Sequence, residues 1–218
     1  MKSKGFGFIE LIIALGLLGI LFGGIFLAYS TILDTSLNSE LRSSATSIGN
    51  RHVEIIRNLP YGSVGTINGI PAGVIPQEQT IPFDGAEFVV RTTIRNIDDP
   101  FDGTLGGNPN DTVPGDYKLI ELEIDCSTCF NFVPLVLTTT VAPKGLESAS
   151  NNGSLFINVI NASGQPVPGV TVHIVNSTTT PPIDLLDTTN TSGTLQLVDV
   201  PTSTQSYEVD VALAGYST

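Results

Sequence analysis

Tryptophan is absent from this 218-residue chain, methionine occurs once, and there are only two histidines and two cysteines. Each scarcity closes off some chemistry. A structural zinc site takes four ligands, yet Cys126 and Cys129 share a single CxxC, with His52 and His173 far away in sequence. No zinc framework results, and no metal is expected. No Ser/His/Asp, Cys/His or paired-carboxylate constellation is visible, so the expectation is a non-enzyme without a cofactor. Basic residues are also scarce, nine Lys and Arg against 21 Asp and Glu, for a formal net charge of −12. Setting aside Lys2, Lys4 and Glu10, the chain from Asp34 onward carries 20 acidic against seven basic residues. Such a surface repels phosphate backbones and anionic headgroups over a Debye length of about 10 Å. That argues against a general nucleic-acid binder and suits solubility outside the cell.

What the chain does have is one long apolar run. From Phe6 to Leu33 the only charge is Glu10. At about 1.5 Å per residue, the uncharged stretch from Leu11 to Leu33 makes a helix of roughly 35 Å, enough to span a bilayer core. Lys2 and Lys4 ahead of it favour a cytoplasmic N-terminus. An ordinary secretory signal has an apolar region of about 7–15 residues and an A-x-A-like cleavage site. Here the run is too long, and Ala28-Tyr29-Ser30 is a poor match. A plain anchor leaves Glu10 unexplained, since an ionisable group within a membrane helix is costly and marks a function with a partner.

The segment Lys4-Gly5-Phe6-Gly7-Phe8-Ile9-Glu10-Leu11-Ile12 resembles the processing signal of type IV prepilins and type II secretion pseudopilins. The resemblance implies cleavage after Gly5 and N-methylation of Phe6. It also makes Glu10 the acid that neutralises a neighbouring subunit's terminal amine during assembly. Implied partners are a prepilin peptidase that also methylates, other pilin subunits, an inner-membrane assembly platform, and membrane lipid before assembly. An outward surface or glycan target remains unnamed. The implied location is the cytoplasmic membrane first and an extracellular filament afterwards. This helix has no proline, the family's frequent break point. Gly16, Gly19, Gly23 and Gly24 offer either local loosening or, the preferred reading, close helix packing.

The helix does not stop at the membrane. Leu33, Leu37, Leu41, Ala45, Ile48, Ile55, Ile56 and Leu59 recur at three- to four-residue spacing, with a gap around Arg51 and His52. This predicts an amphipathic continuation that Pro60 ends. A single helix from Phe8 to Leu59 would be about 78 Å long, which burial in a filament core accounts for. His52 reads as a surface or packing residue.

Beyond residue 60 the composition turns to Gly, Pro, Thr, Val, Ile and Asn, suited to strands and turns. Strands are predicted at 88–94, 117–124 and 132–141, with Pro71, Pro76 and Pro82 breaking up what precedes them. Cys126 and Cys129 lie at a turn between two of these strands and suggest a disulfide, there being no thioredoxin-like βαβ pattern around them. Oxygen-rich residues at Asp98, Asp99, Asp102 and Asp111 could hold calcium, as some pseudopilin loops do. Their spacing matches no EF-hand, and such residues are also ordinary turn formers, which is preferred.

A polar linker at 146–153 leads to a second β region with strands at 154–160, 167–175, 187–197 and 207–212, a β-sandwich pattern. The run G-x-P-V-P-G-V-x-V at 164–172, the later T-x-x-x-G-x-L-x-L and the closing Y-x-V-x-V-x-x-x-G-Y resemble carboxypeptidase regulatory-like (prealbumin-like) domains. That resemblance implies a spacer or contact module, ordinarily with one more strand after Tyr216. The domain is thus either incomplete here or completed by a neighbour, and Val209 and Val211 would otherwise lie on an open edge. With no Lys or Arg after Lys144, the Lys–Asn crosslink of some relatives is excluded within this domain. Five N-x-S/T sequons occur, at Asn110, Asn152, Asn161, Asn176 and Asn190. His173 alternates with Val172 and Ile174 and should face solvent.

The expected fold is therefore α+β: a long apolar helix packed on an antiparallel pilin-like sheet, then an Ig/prealbumin-like sandwich. Expected boundaries are a leader at 1–5, a membrane helix at 6–33, its continuation at 34–59, and β regions at 60–145 and 154–218.

Overall fold

The computed structural model describes residues 7–101, 103, 107–111, 113–129, 131–144 and 151–215. Met1–Ser44 and Ala45–Thr218 form two separate compact units. Helix α1 spans Phe8–Arg57, and its apolar first part buries nothing: Phe8, Ile9, Ile20 and Phe26 are 71–76% exposed. A helix apolar all round belongs in a membrane or a deep core. Among the described residues it is the one helix long and apolar enough to cross a membrane.

The last three turns of α1 have a different task. Ala45, Ile48, Gly49 and Ile56 are buried and His52 is half-buried, a stripe at helical spacing. The gap around Arg51 and His52 thus closes, with Gly49 and His52 filling it. His52 donates Nδ1–H to the Ile48 carbonyl at 2.9 Å. Leu33, Leu37 and Ile55, expected on the apolar face, are all exposed. Ile55 stands about 100° round the helix from Ile56, which takes the buried position instead.

This stripe lies on a four-stranded antiparallel sheet ordered β1-β2-β3-β4, comprising Glu78–Phe83, Ala86–Ile97, Tyr117–Cys126 and Leu135–Val141. Phe88, Val90, Ile94, Ile120, Leu122 and Ile124 are its most deeply buried members, none more than 2% exposed. Strand β1 is a departure from the sequence expectation, which took Pro82 as a breaker. Pro82 pairs with Glu87 on an edge strand, the one place in a sheet where a missing N–H costs little. Asp84 and Gly85, both at positive φ, form the tight turn that joins β1 to β2.

The second β region holds β5 (Gly153–Asn158), β6 (Thr171–Asn176), β7 (Ile183–Thr188), β8 (Thr194–Val200) and β9 (Glu208–Ala212). They form a two-stranded sheet, β5-β8, and a three-stranded sheet, β7-β6-β9. Two expectations are corrected here. The strand expected from Val167 starts only at Thr171, after a turn at Gly169 with φ +69°. The strand expected at 187–197 is two strands, β7 and β8. Their turn holds Gly193 at φ +68°, where a Cβ would lie 2.7 Å from the Val167 nitrogen. The polar stretch at 146–153 falls mostly outside the described residues, although Gly153 already opens β5.

The α+β architecture matches the one expected. The sequence did not reveal how tightly the two β regions join. Ile70, from the loop before β1, is buried in the same core as Val172, Ile174, Ile183, Leu185, Leu195, Leu197 and Val200. Asp184 donates its N–H to the Asn68 carbonyl at 2.7 Å, and Gln77 donates to the Asp184 carbonyl at 2.8 Å. At the end of β2, Arg95 forms a two-pronged ion pair with Asp187 of β7. Its neighbour Asn96 donates to the Val198 carbonyl of β8 at 3.2 Å. Successive strand residues point to opposite faces, so both sheets of the second region grip the end of β2.

Candidate functional site

Helix α1 starts one residue after Gly7, whose N–H donates to Glu10 Oε2 at 2.8 Å. Glu10 sits at the third helical position and reaches back over the first turn, half of a capping box. A carboxylate there also lies at the positive end of the helix dipole. The group is exposed, and a carboxylate can accept about four hydrogen bonds. Its geometry leaves room for a further cationic or N–H partner. Gly5 and Phe6 lie outside the described residues. At Gly16, Gly19, Gly23 and Gly24 nothing stands within 4 Å of where a Cβ would be. The helix surface there is open to close approach.

The acidic loop after β2 is used for turns. Asp99 accepts the Phe101 N–H at 3.1 Å, Asp111 accepts the Val113 N–H at 2.8 Å, and the Asp99 N–H donates to Asp116. Asp98 is half-buried, and Asp102 lies outside the described residues. Among the described residues, no group of three or more His, Cys, Asp or Glu is placed to hold a metal.

Cys126 and Cys129 are joined in a disulfide, with Cα atoms 5.4 Å apart. It closes the turn after β3, and that turn is pinned to the start of β2. The Ser127 N–H donates to the Glu87 carbonyl at 3.1 Å, and Thr128 Oγ1 accepts the Glu87 N–H at 3.1 Å. Phe132 packs edge-on to the buried Phe88 at 6.1 Å. A four-residue loop gains little chain entropy from a crosslink, so the bond chiefly fixes local geometry.

Between the two β regions lies a cleft of about 400 Å³, lined by Tyr61, Ile70, Asn96, Lys118, Asn152 and Asp199 among others. Lys118 is only 6% exposed. Its Nζ donates to the carbonyls of Tyr61 at 2.9 Å and Val64 at 2.6 Å, and stands 4.5 Å from the centre of the Tyr61 ring. Burial holds the ammonium below its ordinary pKa, and the Asp199 carboxylate partly counters that. Sequence reading passed over Lys118, although a signal existed: it is in phase with Ile120, Leu122 and Ile124. The Arg95–Asp187 pair left no such signal, because nothing in the sequence placed β2 against β7. His173 is half-buried, its Nε2 2.7 Å from Asp184 Oδ1. Of the sequons, Asn176 is fully buried and donates to Ser206 Oγ, whereas Asn190 is exposed at the β7–β8 turn.

Residues 1–26 match the prokaryotic N-terminal methylation motif. The match covers the apolar start of α1 and carries the prepilin-type reading of this N-terminus. It supports a pilin-like structural protein that is processed by a prepilin peptidase and assembles with other pilins. No curated protein and no solved structure matches the chain, so the β regions are described by their own geometry.

Proposed function

We propose that this chain is a subunit of a type IV pilus-like or pseudopilus filament, assembled through α1, with its β regions displayed for adhesion, motility, secretion or DNA uptake. One observation carries the reading: the methylation motif leads directly into a helix whose apolar side chains are exposed throughout its first part. That surface needs lipid before assembly and protein afterwards. In this scheme residues 1–5 are the leader. Cleavage after Gly5 frees the Phe6 amine, which is then methylated on the cytoplasmic side. Glu10 takes up the cationic amine of a neighbouring subunit while the platform extracts the helix from the membrane.

Mass spectrometry of the mature N-terminus tests the first step. The expected terminal residue is N-methylated Phe6, and an intact Met1 in the assembled protein would refute the reading. The second step is tested by Glu10→Val. Membrane insertion should persist while incorporation into filaments is lost; unchanged incorporation removes Glu10 from assembly.

A second reading has one specific observation in its favour. Glu10 already accepts the Gly7 N–H of its own chain, so the carboxylate could serve only as a helix cap in a membrane-anchored adhesin that never polymerises. Glu10→Gln separates the two, because a neutral amide still caps but cannot neutralise an amine. Loss of incorporation with Gln supports assembly through the Glu10 charge, whereas a wild-type chain that stays in the membrane fraction and enters no filament supports the anchor.

A further inference from the structure

A groove of about 410 Å³ lies between the end of α1 and the loop before β1. All of its residues fall within the unbroken described stretch 45–101. Ile55 of α1 and Leu59 just beyond it form one wall, Val74 and Pro76 the other, and the buried Ile56 and Val90 the floor. Hydrogen bonds fix the loop wall in place. Val74 donates its N–H to the Ser63 carbonyl at 3.2 Å, and Ile75 donates to the Gly65 carbonyl at 3.0 Å. Ile55 and Val74 are nonetheless more than half exposed. The charge in the groove is of one sign: Arg51 lines it, and no Asp or Glu does. The acids next in sequence to its walls, Glu54 and Glu78, pair with Arg57 and Arg91. Among the described residues Arg51 forms no ion pair.

The complement to this groove is on α1 itself. From Phe8 to Leu41 its only charged residues are Glu10, Asp34 and Glu40. Residues three and four apart on a helix are neighbours. Leu37 therefore has Leu33 and Leu41 beside it at four residues, and Asp34 and Glu40 at three. Leu33 and Leu37 are exposed, as are both acids. Here the exposed leucines and the acids of α1 coincide.

We propose that this groove takes the 33–41 stretch of α1 from a second copy of the chain, an inference that rests on the filament reading above. Leu37 enters between Ile55 and Val74, and the acids flanking it pair with Arg51. An apolar helix face laid in an apolar groove is a recurring mode of recognition, and the opposite charges set its register. Groove and leucine patch are different surfaces of one chain. Contacts of that head-to-tail kind build open helical filaments when the rotation does not close, so every copy can offer its groove to the next.

The test isolates filaments from cells producing two differently tagged full-length chains, one Leu37→Cys and the other Val74→Cys. The chain's own cysteines are already joined to each other, so a disulfide linking the two tags reports this contact between copies. Mild oxidation should give that heterodimer in clear excess over homodimers of either variant. Arg51→Glu sets acid beside acid and should cut incorporation into filaments about tenfold. Asp34→Lys with Glu40→Lys should do the same, and the three substitutions together should restore incorporation. All three side chains are exposed. If either cysteine variant fails to enter filaments, the charge exchange decides alone. Two results overturn the groove while the filament reading stands: no heterodimer in filaments that hold the chain with methylated Phe6, or no rescue by the triple variant. A Val74→Cys chain joined instead to a different protein also overturns it. Absence of the unsubstituted chain from filaments overturns both.

Discussion

Removing a lysine ammonium from water is costly unless acceptors replace its hydration. Lys118 meets that demand with two carbonyls and the face of Tyr61, but burial still depresses its pKa below the ordinary 10.5. The sign of the consequence follows. The folded chain releases this proton at lower pH than the unfolded chain, so between the depressed pKa and 10.5 the unfolded state binds more protons. Stability therefore gains from Lys118 as pH rises through that window, by up to about 1.4 kcal/mol per pH unit. Tyr207, whose pKa burial raises, acts in the opposite sense above pH 10 but is common to wild type and variant. Lys118→Met should lower stability near neutral pH by about 1–3 kcal/mol, because two carbonyls lose their donor. It should also flatten the alkaline rise. Urea unfolding between pH 7 and 10.5 measures both, and an identical pH slope in the two proteins would sink the assignment.

At the scale of elements, Gly49 shows how closely α1 approaches its sheet. A Cβ there would lie 2.4 Å from Leu137 Cδ1 and 3.1 Å from Ile124 Cδ1. Leu137 is half-buried on an edge strand and can swing aside, but Ile124 is fully buried. Alanine would add helix propensity of about 1 kcal/mol, which overpacking of about 1–3 kcal/mol offsets or exceeds. Gly49→Ala is thus expected to be neutral to destabilising, and Gly49→Leu clearly destabilising. Thermal unfolding followed by circular dichroism decides the order. This contact also explains what was legible beforehand. The helix and the strands at 88–94 and 117–124 announced themselves through periodicity, which local sequence carries directly. The packing face was harder to read, because its centre is a glycine and a histidine that no hydrophobicity pattern counts. Strand β1 was hidden by Pro82, whose tolerance depends on an edge position that only the assembled sheet defines. Strand β7 was hidden because its alternation is reversed midway: Leu186 is exposed and Asp187 is buried, the opposite of what a half-buried strand shows in sequence. The N-terminal motif, by contrast, was legible in the sequence, since the acid and the apolar run that carry it are contiguous within residues 1–26.

For the whole molecule, the seam between the β regions bears on whether they unfold separately. Two beads on a polar linker would melt independently, each with its own core. Instead Ile70 is lent to the second core, and Asp187 accepts Arg95 while only 3% exposed. Neither region is complete without the other. The full chain in detergent should therefore show a single cooperative transition for residues 45–218, with near-ultraviolet signals and exchange protection in β3 and β6 lost together. Ile70→Ala removes a core side chain and should cost about 2–5 kcal/mol. Asp187→Asn leaves the guanidinium with a neutral partner. A loss of about 3–5 kcal/mol, the range for breaking a buried ion pair, is its upper bound. These two substitutions touch different sides of one seam, so both should move the single transition without splitting it. A variant that melts β6 well below β3 would show instead that the first region holds its structure alone. The seam would then be a contact between independent domains, with β9 free to move with the outer one.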